Sequence, residues 1–95
     1  MFQVYILYSP SLDRYYIGQT ENIDVRINWH KRKVFLRCFT ARASDWHIFL
    51  TVDCISRKQA VNIEAHIKNM KSRKYIQNLV KYPEIIEKLK LRYDQ

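Results

Sequence analysis

Apolar and polar residues alternate in two runs at the start of the chain, and a short polar stretch separates the runs. Residues 2–9 are rich in β-branched and aromatic side chains, and residues 14–19 have the same character. Residues 10–13 read Pro-Ser-Leu-Asp, a composition typical of a turn. The pattern predicts two strands joined as a β-hairpin.

The length of the turn determines which side chains share a face of the hairpin. A loop of residues 10–13 pairs Ser9 with Arg14. Alternation along the strands then places Tyr5 and Tyr16 together on one face. The opposite face is more apolar and should meet the core. Its members are Val4, Ile6, Tyr8, Tyr15 and Ile17.

The residues that follow the hairpin are predicted to form a helix. Thr20 or Asn22 can cap a helix that runs from about residue 23 to residue 33. Arg26 and His30 are one helical turn apart and therefore lie on one side of it.

A third strand is predicted after a stretch without a clear period. Residues 34–45 carry many basic and small polar groups and are interpreted as a loop. Residues 46–54 alternate imperfectly and are predicted to form the strand. In it Trp46, Ile48, Leu50 and Val52 alternate with Phe49 and Thr51.

The C-terminal part of the chain is predicted to be helical. Ser56 and Gln59 form a capping box, in which Ser56 bonds the Gln59 amide and the Gln59 side chain returns the bond. Ser72 can cap a second, shorter helix, and Pro83 suits the first turn of a last helix that ends near Leu91. The predicted inner face of the first helix carries Ala60, Ile63, Ile67 and Met70. The apolar residues of the second helix are Tyr75, Ile76, Leu79 and Val80.

The composition is that of one small folded domain. The 95 residues leave no room for a second core, and 47% of them are apolar. No apolar run is long enough to span a bilayer, and no basic stretch precedes the first strand as in a secretory signal. Cys38 and Cys54 lack metal-ligand spacing and are expected to be reduced thiols. We expect one cytoplasmic domain over residues 1–95, with a core of about 3–75 and a helical extension of about 76–95.

The net charge of +8 favours a polyanionic partner. The basic residues cluster in two stretches, and neither is an amphipathic helix with an apolar face free for lipid. Nucleic acid is therefore preferred over an anionic membrane, and a basic surface that merely aids solubility is the alternative. The stretches contain Arg26, Lys31, Arg32, Lys33, Arg37 and Arg42, and Lys68, Lys71, Arg73 and Lys74.

Glu64 differs from the other acidic residues because it borders an apolar helical stripe. It lies one turn after Ala60 and just under one turn before Ile67. A carboxylate in such a place either pairs with a cation or binds a metal. The spacing favours an ion pair with Lys68 at i+4. A metal held by one carboxylate would be a single Mg²⁺ or Mn²⁺ rather than a two-metal site.

A few side chains supply what phosphodiester cleavage requires. The reaction needs a proton acceptor for water, positive charge near the phosphorane and stabilisation of the leaving oxygen. Strand tyrosines are usually packing residues and helix arginines are usually solvated, so spacing alone leaves a nuclease as one of several interpretations. The candidates are Tyr5, Tyr16, Arg26, His30 and Glu64.

The order and spacing of these residues resemble the GIY-YIG endonuclease family. The resemblance is greatest to its small stand-alone bacterial members, which are related to the N-terminal nuclease domain of the excision-repair incision subunit. The first motif falls on residues 3–5 (Gln-Val-Tyr), with glutamine in place of the family's glycine, and the second falls on residues 16–18 (Tyr-Ile-Gly). Arg26, His30 and Glu64 match the helix arginine, the His or Tyr one turn later and the metal-binding glutamate.

The resemblance implies an α+β fold, a small α/β sandwich whose three-stranded antiparallel sheet is flanked by helices. It also implies hydrolysis of DNA, or RNA, in repair or recombination, with one Mg²⁺ or Mn²⁺ on Glu64. Tyr5 would be the leading general base, assisted by Tyr16 or His30, and Arg26 would stabilise phosphate charge. The expected substrate contacts are Gly18, Gln19, Lys31, Arg32, Lys33, Arg42, Lys68, Lys71 and Asn78.

The main alternative is a module that binds nucleic acid on a nuclease fold without cutting it. The joint presence of Tyr5, Tyr16, Arg26 and Glu64 favours the nuclease, because binding alone does not need the glutamate. A structural or adaptor domain with incidental charge is a second alternative. A protein partner or a second copy of the chain would have to supply any sequence specificity.

Overall fold

The computed structural model describes residues 2–23, 43 and 45–94. Within these residues the chain forms three strands and three helices. The predicted helix of residues 23–33 lies outside them except for its first position. The strands are β1 (Phe2–Ser9), β2 (Arg14–Thr20) and β3 (His47–Cys54), and the helices are α1 (Arg57–Met70), α2 (Arg73–Lys81) and α3 (Glu84–Arg92).

The strands form one antiparallel sheet in the order β2-β1-β3. The hairpin has the predicted register, because Ser9 pairs with Arg14 and Leu7 lies opposite Tyr16. A three-stranded antiparallel sheet with helices confirms the predicted α+β fold class. Strand β2 is at one edge of the sheet, so a site at this edge can include side chains from both faces.

Each face of the sheet carries its own hydrophobic cluster. The larger cluster joins the predicted core face of the hairpin to the helices, and burial of each large side chain in it contributes about 1.5–3 kcal/mol. Its buried members are Val4, Ile6, Val52, Cys54, Ala60, Ile63, Ile67, Ile76, Leu79 and Leu89. The smaller cluster lies on the opposite face and consists of Tyr5, Leu7, Ala43 and Trp46, with Leu12, Tyr16 and Ile23 packed against it.

A β-bulge explains the imperfect alternation of the third strand. The pairing of β1 with β3 skips Phe49, which is therefore an extra residue on β3. The extra residue shifts the alternation by one position, so Trp46 and Val52 lie on opposite faces of the sheet. Ile48, which a regular strand would keep on the face of Leu50, is 45% exposed.

Both predicted serine caps are present. Ser56 caps α1 and Ser72 caps α2, and each hydroxyl accepts a hydrogen bond from the backbone N–H three residues later. The buried Gln59 side chain has a larger role than capping. Its Oε1 accepts from the Ile55 N–H at 2.8 Å, and its Nε2 donates to the Lys90 carbonyl at 3.1 Å. This amide therefore links the start of α1 to α3.

Met70, which was predicted for the inner face of the first helix, is exposed, and so is the apolar residue Val80 of the second. Met70 is 45% exposed because α1 ends there, before the left-handed cap residue Lys71. Val80 is 49% exposed because Ile76 and Leu79, about one turn apart, form the inner stripe of α2. The prediction for Met70 was wrong at the last position of α1, where the spacing of apolar residues determines the buried face least firmly.

The last two helices contribute to the larger cluster. Ile76 and Leu79 of α2 and Leu89 of α3 are all buried in it. The helical extension thus belongs to the same core as the sheet. Among the residues that the structure describes, no helix is both long and apolar enough to cross a membrane.

Candidate active site

We call the face of the sheet that carries Tyr5, Leu7 and Tyr16 the tyrosine face. Tyr5 and Gly18 form its centre. They are direct cross-strand partners on β1 and β2. A Cβ atom on Gly18 would lie 2.5 Å from Tyr5 Oη and 2.6 Å from Cζ, so the tyrosine ring lies across the glycine. Gly18 is therefore required for close approach, not for a backbone conformation, since no glycine in the described part of the chain has a positive φ.

The two motif tyrosines are brought together, as predicted. The ring centroids of Tyr5 and Tyr16 lie 6.3 Å apart, and Tyr16 meets Trp46 edge to face at 6.5 Å. Tyr5 is only 2% exposed, because Leu7 and Trp46 complete the cluster around it. Tyr16 is partly exposed. Of the two hydroxyl-bearing rings, Tyr16 is thus the more accessible to solvent.

Tyr8, on the opposite face of the same strand, has a different chemistry. Its hydroxyl donates to Asp13 Oδ1 at 2.6 Å, and this hydrogen bond raises the pKa of Tyr8 above its ordinary value. A phenol whose proton is held by a carboxylate is a poor proton acceptor. Tyr8 is therefore a suitable comparison for the motif tyrosines.

Asp13 connects the hairpin turn to the start of α2. Arg73 donates to both of its carboxylate oxygens, at 2.6 and 3.1 Å, a bidentate pair. The Arg73 guanidinium and the Tyr8 hydroxyl lower the pKa of the Asp13 carboxyl from 3.8 to about 2. Asp13 itself has a φ of 51°, in the left-handed region that aspartate tolerates better than most residues.

A second carboxylate fixes the other side of the turn. Asp45 accepts hydrogen bonds from the Ser9 hydroxyl at 2.6 Å and from the Ser11 backbone N–H at 2.8 Å. These bonds lower the pKa of Asp45. Because Asp45 immediately precedes Trp46, the contact holds the start of β3 against the turn.

A groove with cationic walls lies between the edge strand β2 and the junction of α1 with α2. We call it the cationic groove. Arg14 on β2 forms one wall, and Lys68, Lys71 and Arg73 form the other. Its apolar floor is supplied by Ile17, Ile67 and Ile76, and Asp13, Tyr15 and Ser72 complete its lining.

Glu64 lies one helical turn before the cationic groove. Its carboxylate is 3.5 Å from Lys68 Nζ, so the predicted i+4 ion pair is present, and its side chain is 17% exposed. Helix α1 packs on the face of the sheet opposite to Tyr5 and Tyr16. A site that contains Glu64 and both tyrosines must therefore extend around the β2 edge; it cannot lie on one face.

A lone carboxylate fits one mode of metal binding. Mg²⁺ often binds through one or two carboxylates and completes its shell with water and substrate phosphates. Glu64 could hold such an ion, with the substrate supplying further ligands. No group of three or more His, Cys, Asp or Glu residues that could form a preformed metal cage exists among the described residues.

The remaining site predictions fall in two groups. Four described residues were predicted to contact substrate besides Gly18. Lys68 and Lys71 line the cationic groove, whereas Gln19 and Asn78, both partly exposed, do not line it. The others lie outside the described residues, namely Arg26, His30, Lys31, Arg32, Lys33 and Arg42.

Sequence inspection missed three residues of this region: Asp13, Arg14 and Tyr15. They looked like an ordinary turn and strand start. Arg73 was counted as one of a basic cluster, but it pairs with Asp13 and stacks on Tyr15 with its Cζ 5.6 Å from the ring centroid. The one sequence signal was an acid in the turn and an arginine directly after a helix cap, 60 positions apart.

Comparison with known proteins identifies the family. The family model described as the GIY-YIG catalytic domain matches residues 1–77, which include the whole sheet, α1 and the start of α2. The chain therefore belongs to the GIY-YIG family, whose members are nucleases, usually endonucleases that act on DNA and typically use a divalent metal. Comparison with curated proteins and with solved structures gives no significant match.

Proposed function

We propose that this protein is an active DNA endonuclease that depends on one Mg²⁺ or Mn²⁺. One observation carries the proposal: two motif tyrosines meet on β2 and β1, and a cationic groove that ends beside Glu64 runs along the β2 edge. Positive charge, hydroxyl groups and a carboxylate thus converge on one edge of the sheet. Repair or recombination is the biological setting that we favour.

The accessible tyrosine is the better candidate for the proton acceptor. A general base must reach the attacking water directly or through one further water. Tyr5 is almost completely buried under the cluster, whereas Tyr16 is partly exposed. We assign the proton transfer to Tyr16 and a positioning role to Tyr5, which reverses the order expected from sequence. Arg26 and His30 keep their proposed roles in neutralising phosphate charge and assisting proton transfer.

The cationic groove supplies a path for the phosphate backbone. Arg14 and Lys71 have no ion-pair partner among the described residues, and Lys68 and Arg73 are each paired with one acid. A divalent ion held by Glu64 would supply positive charge for the leaving oxygen. The Glu64–Lys68 pair is half-exposed on its lysine side, so exchanging the ammonium for a metal ion costs little.

A cleavage assay with two variants tests this proposal. Duplex, nicked, flapped and branched DNA are incubated with purified protein, with and without Mg²⁺ or Mn²⁺. We expect metal-dependent cleavage of at least one substrate, and we expect Glu64→Ala to abolish it while the thermal unfolding curve stays unchanged. Glu84→Ala, at an exposed position on α3, is the matched control and should cleave normally.

A third variant, Lys68→Ala, distinguishes a metal ligand at Glu64 from one half of an ion pair. If Glu64 only pairs with Lys68, then Lys68→Ala should reduce cleavage as much as Glu64→Ala does. If Glu64 holds a metal, Lys68→Ala should weaken DNA binding but leave cleavage dependent on the metal. Equal loss in both variants, or cleavage that persists in Glu64→Ala, would reject the assignment.

The ion pair also supports a second candidate function. A nuclease fold that binds nucleic acid without cutting it would need the groove but no metal, and Glu64 would then stabilise α1 through Lys68. DNA binding without cleavage on any substrate of the panel, at any metal concentration, would establish this module instead.

A further inference from the structure

A second groove lies at the other end of the sheet. It is lined by residues from the start of β1, the end of β3, the first turn of α1 and the α3 region, and its volume of about 780 Å³ is within the range of ligand-binding clefts. Two of its lining residues, Ile55 and Leu91, are 70% and 77% exposed. These are the most exposed large apolar residues among those that the structure describes. Two such side chains beside one groove are typical of an interaction site.

The rim of this groove is acidic. Asp53, Glu87 and Asp94 line it, and Lys90 is the only basic residue among the described residues of its lining. The chain as a whole carries nine acids against seventeen Lys and Arg residues. A third of the acidic residues of this strongly basic protein therefore surround one groove. We call it the acidic groove, although its floor is apolar.

The floor of the acidic groove favours apolar contact over polar recognition. The Gln59 amide is already bonded to the Ile55 N–H and to the Lys90 carbonyl, so it offers little to a ligand. The Cys54 thiol is buried, and burial raises its pKa, so it is a poor nucleophile. The occupant must therefore bring apolar side chains to the groove and cations to its rim.

The charge of the rim excludes several occupants. Phosphates would be repelled by the acids, so this groove is not a continuation of the DNA path. The groove lies at the Phe2 end of β1 and the cationic groove at the Ser9 end, on the order of 20 Å apart for a strand of this length. That distance exceeds the screening length at physiological salt, so the two grooves act independently.

A second copy of the chain is also a poor occupant. A symmetric contact would place the acidic rims of the two copies against each other. A head-to-tail contact between the acidic groove and a basic surface would join many copies into rings or open chains. A different protein could bring both apolar side chains and cations to the groove, without repulsion between acidic rims and without assembly of many copies.

We propose that the acidic groove docks a basic segment of another protein. An apolar side chain of that segment inserts between Ile55 and Leu91, and flanking Lys or Arg residues meet Asp53, Glu87 and Asp94. Such a partner would direct the nuclease to its site of action, while the cationic groove stays available for DNA.

Selection from a random-peptide phage library on the intact protein tests the proposal. Peptides that combine a large apolar residue with Lys or Arg should be enriched. Synthetic versions are then titrated against the protein by fluorescence anisotropy. Leu91→Ser and Glu87→Lys should each weaken binding by about tenfold or more, as expected for a central anchor and its charged neighbour. Both positions are exposed, and circular dichroism melts check that both variants remain folded.

Two matched variants control for general effects of polarity and charge. Val80→Ser changes an exposed apolar residue outside the groove, and Glu84→Lys reverses an acid in the same helical turn as Glu87. Both should bind the peptides like the wild type. The proposal is overturned if no basic–apolar peptide is enriched, if all four variants bind alike, or if the enriched peptides are acidic. It is equally overturned if sedimentation shows that Leu91→Ser dissolves a dimer.

Discussion

The tyrosine face depends on one contact between a side chain and a backbone. Tyr5 can lie flat across β2 only because its partner Gly18 has no side chain. Leu7 and Trp46 are buried in the same cluster as the Tyr5 ring, so close packing limits how far the ring can shift to make room for a new atom. The tyrosine of the first family motif and the glycine of the second are thus 13 residues apart in sequence but in direct contact in space.

A double-mutant cycle tests this contact. Gly18→Ala should destabilise the protein by about 1–3 kcal/mol, because the added methyl overlaps the Tyr5 ring in a packed cluster. In a Tyr5→Ala background the same change should cost much less, since the ring that it meets is absent. Urea denaturation of the four proteins gives the coupling free energy. Additive costs would show that the overlap is relieved elsewhere.

The hydroxyls are tested separately from the rings. Tyr16→Phe removes one oxygen and should change stability by about 1 kcal/mol or less. Its turnover on the preferred DNA substrate should nevertheless fall by roughly 10²–10⁴-fold, the contribution of a general base. Tyr8→Phe, which loses only the bond to Asp13, should keep most of its turnover. A larger loss in Tyr5→Phe than in Tyr16→Phe would return the base to Tyr5.

Sequence predicted the position of the tyrosines better than their environment. Alternation and turn length gave the register and the shared face of Tyr5 and Tyr16, both of which the structure shows. The burial of Tyr5 could not be predicted, because it depends on Trp46. The bulge at Phe49 moves Trp46 onto the tyrosine face, and a bulge has no local signature beyond imperfect alternation.

At the scale of elements, two carboxylates hold the hairpin turn against the rest of the chain. Asp45 ties it to the start of β3, and Asp13 ties it to α2 through Arg73. Strands, helix starts and serine caps were predictable because their signals are local. These ties were not, since an ion pair between residues 13 and 73 requires the fold to exist first. The tie between Asp13 and Arg73 lies at the cationic groove, because both residues line it.

The Asp13 tie predicts a specific dependence of stability on pH. The folded-state pKa of Asp13 is about 2, below the ordinary value of 3.8, so the folded protein binds fewer protons than the unfolded chain in this range. The stabilisation is complete above about pH 4 and is lost as the pH falls towards 2. Asp13→Asn should be less stable than the wild type at neutral pH, and the difference should shrink across this window. Thermal unfolding between pH 2 and pH 7 measures it. A constant difference at all pH values would mean that the aspartate acts through the turn and not through its charge.

At the scale of the whole molecule, two grooves of opposite charge lie at opposite ends of the sheet. The cationic groove lies at the turn end and the acidic groove at the opposite end. The net charge of +8 predicted a polyanionic partner but could not show this separation, because the residues of each groove come from three or more elements. The described part of the fold therefore presents a cationic groove at one end of the sheet and an acidic groove at the other.

This division predicts which cations contribute to DNA binding. Affinity for a duplex should fall steeply with salt concentration, because each phosphate contact releases condensed counterions. Arg14→Ala and Lys71→Ala each remove a groove cation without an ion-pair partner among the described residues, and neither residue is part of a buried core. Each should reduce the slope of log affinity against log salt by about 0.9 and weaken binding similarly on all sequences.

Lys88→Ala, an exposed cation on α3 outside both grooves, should leave the slope unchanged. Fluorescence anisotropy over a range of salt concentrations measures all four proteins. A slope that changes equally in the three variants would mean that net charge, not the groove, attracts DNA, and an affinity independent of salt would remove the groove from the DNA path altogether.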